Sequence, residues 1–302
     1  MLTIAPASCT DKAFQEDRIM RLAKVSKDGQ TGLAVDTGED IKVLFGDSAL
    51  CDLDALVAEG GNALTEAGTK VLSAGTSVAM DDLTFLPPLV KAPKIICLGL
   101  NYKDHAAEGG FQVPEFPTVF GRFNSSLIGH GAPIIKPECS DQLDYEGELI
   151  AVLGKGGKDI SKEDALSHVV AYSVFNDGSI RDYQLKTPQW TVGKNFDDTG
   201  AFGPWLVTAD ELPAGGAGLK IETRLNGQVV QSANTSDMVF DVVDTIALLS
   251  TCFTLEVGDI LVMGTPSGIG LARNPPLFMK DGDVCEVEIE KVGLLVNPIK
   301  AA

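Results

Sequence analysis

Three acids stand at alternate positions in Asp144-Tyr145-Glu146-Gly147-Glu148, directly before the apolar run LIAVLG. Side chains of an extended strand alternate between its faces, so residues 144, 146 and 148 would project from one side. Like charges that close repel and are costly to bury without a compensating cation. The plain alternative is a solvated strand edge. The apolar continuation argues for burial, and a further acid, Asp177, ends a second apolar run, VVAYSVFND. Two buried strands ending in carboxylates can meet. An oxygen-only donor set without Cys or His suits a hard ion, Mg²⁺, Mn²⁺ or Ca²⁺, over zinc.

A second constellation is His105 and Glu108 in NYKDHAAEGG. On a helical turn, residues three apart are neighbours, so the carboxylate can orient the imidazole as a general base, and Gly109-Gly110 would let the segment hinge. H-x-x-E alone is a common pattern. His130, in GHG, reads as a loop residue and His168 as a helix-face residue. Basic and polar groups follow Asp177: Arg181, Asp182 and Gln184, then Gly193-Lys194. Each could be a surface ion pair, but cations beside an acid cluster would also bind an anionic substrate and its developing oxyanion. The loop Gly264-Thr265-Pro266-Ser267-Gly268-Ile269-Gly270 matches neither a P-loop, a dinucleotide fingerprint nor a nucleophile elbow. It reads either as a Gly-Pro turn or as a backbone loop donating N–H groups to a carboxylate.

The elements that must position these groups come from a chain of 302 residues, 44% hydrophobic and 22% charged, an ordinary globular composition with enough length for a substantial core. With 24 basic against 42 acidic residues, the net charge of −18 repels phosphate backbones and anionic membranes. No nucleic-acid or membrane partner is expected, and no apolar run reaches the roughly 18 to 20 residues of a spanning helix. The start, MLTIAPASC, lacks the pattern of a secretory signal, so a cytoplasmic location is expected. The six cysteines form no C-x-x-C pair and read as free thiols.

Residues 1 to 17 show no clear period. Alternating runs around Asp28-Gly29 and Thr37-Gly38 predict hairpin strands over 19–44, and a helical stretch follows near 52–70. Prolines 87, 88 and 93 mark a linker, which divides the chain into a small N-terminal α/β domain, 1–90, and a second domain, 91–302. In the second, KIICLGL, GELIAVLG, VVAYSVFND, KIETRLNGQVV, DILVMGT and CEVEIEKVGLLVNPI read as strands, with a type I′ turn at Asn226-Gly227. Helices are expected to open at Ser161 and to run from about Asp241 to Phe253. The fold class is mainly β with α+β elements.

Together the segments IICLGLNYKDHAAE, QLDYEGELIAVLGKG, FNDGSIRDYQ, WTVGKNFDDTGAFGPWLV, LNGQVVQSANTSDMVF and LEVGDILVMGTPSGIG, with the tail GDVCEVEIEKVGLL, resemble the fumarylacetoacetate hydrolase superfamily, in the family's order, across about residues 91–297. The resemblance implies a mixed β-sandwich roll, packed as a homodimer. It implies that Glu146, Glu148 and Asp177 bind Mg²⁺ or Mn²⁺, with Ca²⁺ as a further option. It also implies a base dyad of His105 and Glu108 on a lid, oxyanion stabilisation by Lys194, and substrate contacts by Gln184, Thr265 and Arg181. Where many members carry a lysine after P-x-x-F, this chain reads Pro117-Thr118-Val119-Phe120-Gly121-Arg122, which puts Arg122 near a substrate contact. The implied substrate is a small anionic 2-oxo acid. The expected activity is metal-dependent hydrolysis of a C–C bond in a β-diketo acid such as an acylpyruvate. The alternatives are oxaloacetate-type decarboxylation, keto–enol isomerisation or hydration on the same platform, and a metal-binding homologue without catalysis.

Overall fold

The computed structural model describes residues 20–104 and 115–302. Its main sheet has 13 strands among the described residues. The spatial order is Thr76–Val78, Ile41–Phe45, Gln30–Asp36, Arg21–Lys27, Leu206–Thr208, Val169–Asp177, Gly147–Leu153, Ile260–Val262, Ile95–Gly99 and Thr118–Arg122, with Thr84–Phe85, Gly200–Phe202 and Leu127–Ile128 branching from this path. A second sheet orders Gln228–Asn234, Lys220–Leu225, Val284–Ile289, Gly293–Ala301 and Ile134–Lys136. The pair Leu143–Asp144 and Ser179–Ile180 stands apart from both.

Local sequence explains most of these elements. The first three strands alternate around the expected turns, and Asn226 and Gly227 adopt φ of 52° and 76°, as a type I′ hairpin requires. Strands Gly147–Leu153 and Val169–Asp177 are buried along their whole length, which is why they read as unbroken apolar runs. The stretch near 52–70 is two helices, Leu53–Glu59 and Gly61–Ala74, divided at Gly60, whose φ of 98° ends the first. Helix Val242–Cys252 begins where expected, with the Asp241 side chain accepting from the Asp244 N–H.

The helix expected from Ser161 does not form. The Ser161 hydroxyl accepts from the Asp164 N–H, but only a 3₁₀ turn, Ala165–His168, follows. Its residues enter strand Val169–Asp177 at once, and tertiary pairing overrides the capping signal. His168 is buried there with Nδ1 on the Lys155 carbonyl, and His130 packs edge-on against Phe85. The main sheet runs across residue 90, because Arg21 and Leu22 pair with Val207 and Leu206. One apolar cluster joins Leu22, Leu33 and Val35 to Ile150, Phe175, Phe202 and Leu206. Five cysteines, at 51, 97, 139, 252 and 285, are free. Among the described residues no helix is long and apolar enough to cross a membrane.

Candidate active site

Strand register builds the centre of the site. In the antiparallel pair Gly147–Leu153 and Val169–Asp177, Gly147 stands opposite Asn176, so the start of one strand meets the end of the other. The Asp177 N–H donates to the Glu146 carbonyl at 2.9 Å, and the Glu146 N–H donates to Asn176 Oδ1 at 3.0 Å. Carboxylate oxygens of Glu146, Glu148 and Asp177 consequently lie within 4.8 Å of one another, all three residues buried. Asp144 does not share their face. It belongs to the separate pair with Ser179–Ile180, and the passage of the chain from that pair into the main sheet breaks the period-2 alternation expected over 144–148.

Three buried cations surround the acids. Lys194 Nζ donates to Glu146 Oε2 and, at 2.7 Å, to Asp177 Oδ2. Arg181 donates from Nε to Asp144 at 2.8 Å, from Nη1 to Gln184 Oε1 at 2.8 Å and from Nη2 to Glu146 Oε1 at 2.7 Å. Arg122 pairs with Asp177 Oδ1 and donates to the Thr199 hydroxyl at 2.9 Å. Lys194 is carried by the short helix Thr191–Lys194, and a Cβ on Gly193 would lie 2.3 Å from the Gln184 backbone nitrogen. Only glycine allows the Lys194 turn to press against the Gln184 turn.

Four acids thus face three bases, and Glu148 is the one without an ion pair among the described residues. Its Oε2 accepts from the Gly264 N–H at 2.5 Å. Burial first, then the charges of Asp177 and Glu146, push the Glu148 carboxyl well above the usual carboxylate range. For Lys194, burial favours the neutral amine, but Asp177 and Glu146 outweigh it and hold the ammonium above its ordinary value. The same balance with Glu146 and Asp144 keeps Arg181 charged. A buried, oxygen-only triad with one carboxylate left uncompensated fits a hard divalent cation, which Glu146, Glu148 and Asp177 would hold.

This cluster forms the floor of a cavity of about 380 Å³. Glu146, Glu148, Arg181, Gln184, Lys194 and Thr265 reach its lining, and Leu98, Phe120, Trp190, Ile269 and Leu271 make the apolar walls. A larger cleft, about 980 Å³, lies between the first strands and the second sheet and contains none of the cluster, so its size does not make it the site. Arg122 departs from its expected role as a substrate contact. Its side chain is fully buried behind Asp177 and does not line the cavity, because Asp177, Thr199 and Ser126 claim its donors. His105 and Glu108 lie outside the described residues.

The glycine loop does donate N–H groups to carboxylates, but to the protein's own. Gly264 serves Glu148, while Gly270 and Leu271 serve Asp144. Thr265 donates its hydroxyl to the Gly147 carbonyl and accepts from Gln231 Nε2. Gln231 and the aromatic wall of Trp190 and Phe120 were not legible as site residues. Gln231 comes from the second sheet, in an exposed-looking hairpin sequence, and the aromatics carry no motif.

These features define a mainly β fold that buries a cation-ready carboxylate triad beneath a small-molecule cavity. The family model described as "Fumarylacetoacetate (FAA) hydrolase C-terminal" matches residues 94–300, and the chain belongs to this family. A curated relative named "Oxaloacetate tautomerase fahd2, mitochondrial", from Xenopus laevis, is 40% identical over 272 residues, covering 89% of this chain and 85% of the relative. The fold matches the solved fumarylacetoacetate hydrolase of Exiguobacterium antarcticum with a TM-score of 0.81 and 33% identity, covering 94% of this chain and 100% of that one. Maleylpyruvate hydrolase of Sphingobium sp. SYK-6, solved with manganese(II) and pyruvate, matches with a TM-score of 0.76 and 27% identity, covering 94% and 100%.

Proposed function

We propose that the protein is a keto–enol tautomerase of oxaloacetate and closely related 2-oxo acids. The observation that carries this reading is a buried, charged Lys194 bridging two members of a three-carboxylate site at the floor of a cavity sized for a small organic acid. The name of the Xenopus relative supports oxaloacetate and tautomerisation over the acylpyruvate cleavage expected from the sequence.

Tautomerisation breaks a C3–H bond, forms a C2=C3 double bond and places a proton on the 2-oxo oxygen, so nothing is added or lost. Its difficulty is the negative charge that gathers on that oxygen as the C3 proton leaves. Glu146, Glu148 and Asp177 would hold a divalent cation, which when bound would supply Lewis-acid polarisation of the 2-oxo acid. Lys194 contributes a fixed positive charge in a site shielded from water, where electrostatic stabilisation is strongest. Gln184 presents its amide to the cavity and orients the bound acid. His105, oriented by Glu108, is the base that moves the C3 proton in this reading, as the sequence motif implies.

The test follows the decay of freshly dissolved enol-oxaloacetate by its ultraviolet absorbance, with and without protein and Mn²⁺, while pyruvate is assayed in the same samples. Faster equilibration without pyruvate is the expected result. Pyruvate formation would replace the proposal by decarboxylation. Cleavage of an acylpyruvate with no effect on oxaloacetate would replace it by hydrolysis, and silence toward both would leave a metal-binding protein.

A further inference from the structure

We propose that Asp144 is a positioning residue for substrate recognition, acting through Arg181 to fix which end of the Gln184 amide faces the cavity. The inference rests on the 2-oxo acid reading above and deepens it. Asp144 is fully buried and does not line the cavity, so it touches no substrate. Its Oδ2 accepts from Arg181 Nε at 2.8 Å and from the Leu271 N–H at 2.9 Å. Its Oδ1 accepts from the N–H groups of Gly270 at 2.8 Å and Tyr145 at 2.9 Å.

Arg181 carries the effect onward. Each of its three guanidinium nitrogens has its own acceptor: Asp144 on Nε, Gln184 Oε1 on Nη1 and Glu146 Oε1 on Nη2. A planar fork tied at three points cannot turn about its axis. With Oε1 held toward Arg181, the Gln184 amide is left to present its NH₂ end to the cavity. Gln184 therefore turns its donor end toward the cavity, and it favours an acceptor oxygen such as a carboxylate. The same Asp144 carboxylate holds the backbone of Gly270 and Leu271, and the Leu271 side chain forms part of the apolar wall. One buried acid thus sets both the polarity of the recognition group and the position of the surface beside it.

The test uses the Mn²⁺-loaded full chain. Asp144→Asn keeps the volume and the acceptor toward Tyr145 and Gly270, but turns an NH₂ toward the donors of Leu271 and Arg181. Gln184→Glu replaces the donor facing the cavity by a carboxylate. Each variant is expected to raise the KM for oxaloacetate about tenfold with kcat within about threefold, the scale of one charge-assisted hydrogen bond. Because both spoil the same donor, the double variant is expected to match the worse single one. A KM increase that multiplies to about a hundredfold in the double variant would overturn the proposal, as would a fall in kcat at unchanged KM. Should Asp144→Asn fail to fold, Arg181→Lys, which cannot span all three acceptors, takes its place with the same expectation. Calorimetric binding of 3,3-difluorooxaloacetate, which has no C3 hydrogen, separates this proposal from the tautomerase reading. Weaker binding by the variants upholds Asp144 even where the parent protein shows no turnover, and unchanged binding refutes it whatever the turnover.

Discussion

Replacing Glu148 by Gln probes the charge imbalance at the heart of the site. The substitution keeps the side-chain volume and leaves a carbonyl oxygen for the Gly264 N–H, while the cluster changes from four acids against three bases to three against three. In the metal-free protein, burial and the charges of Asp177 and Glu146 raise the Glu148 carboxyl above its ordinary 4.5. A carboxyl raised in this way contributes stability that is fully present below 4.5 and is lost as pH climbs through the folded value. Across that window the parent protein should lose stability relative to Glu148→Gln by about 1.4 kcal/mol per pH unit. Urea unfolding midpoints in chelator at pH 5, 6 and 7 read this difference. Saturating Mn²⁺ should then stabilise the parent more than Glu148→Gln and narrow the gap, because ligand at a hundred times its dissociation constant adds about 2.7 kcal/mol to whichever chain binds it. Parallel pH curves for the two proteins in chelator, or equal stabilisation of both by Mn²⁺, would refute the reasoning.

Lys194→Met should lower kcat for enol-oxaloacetate by about 10²- to 10³-fold, the scale of losing one oxyanion stabiliser, in the same ultraviolet assay. Treatment with a chelator should abolish activity and added Mn²⁺ or Mg²⁺ should restore it; full activity after metal removal would contradict the role given to the triad. Asn101→Ala should destabilise the fold by about 2–3 kcal/mol, measured by urea unfolding. It strips partners from the Phe240 N–H and from the carbonyls of Phe240 and Met263, leaving buried polar groups unsatisfied.

The sequence was most legible where a residue's local pattern and its tertiary setting agree. The two central strands announce themselves as apolar runs ending in acids, and their antiparallel register then brings Glu146, Glu148 and Asp177 together without further assumption. Lys194, Arg181 and Gln184 follow in short turns close behind Asp177, so proximity in the chain hinted at proximity in space. Reading failed where one chain segment serves two sheets. Asp144 shares the alternation of Glu146 and Glu148 on paper, yet it faces Arg181 and the glycine loop because the backbone changes sheets between them. Arg122 stands near the place where many family members carry a lysine, but position in the chain does not reveal whether an arginine meets ligand or a buried acid. Ser161 carried a sound capping signal that strand pairing overrode.

The family model begins at residue 94, but the main sheet does not. Strand Leu206–Thr208 takes one of its neighbours from Arg21–Lys27, and the Leu22, Leu33 and Val35 side chains fill the core that also packs Ile150 and Phe175 behind the strands of the carboxylate triad. Excising residues 94–300 would uncover that strand edge and drain one side of the core, so the fragment should aggregate where the whole chain stays monodisperse. Any graft of this catalytic machinery onto another relative must carry the leading hairpins with it, even though no proposed catalytic group lies on them.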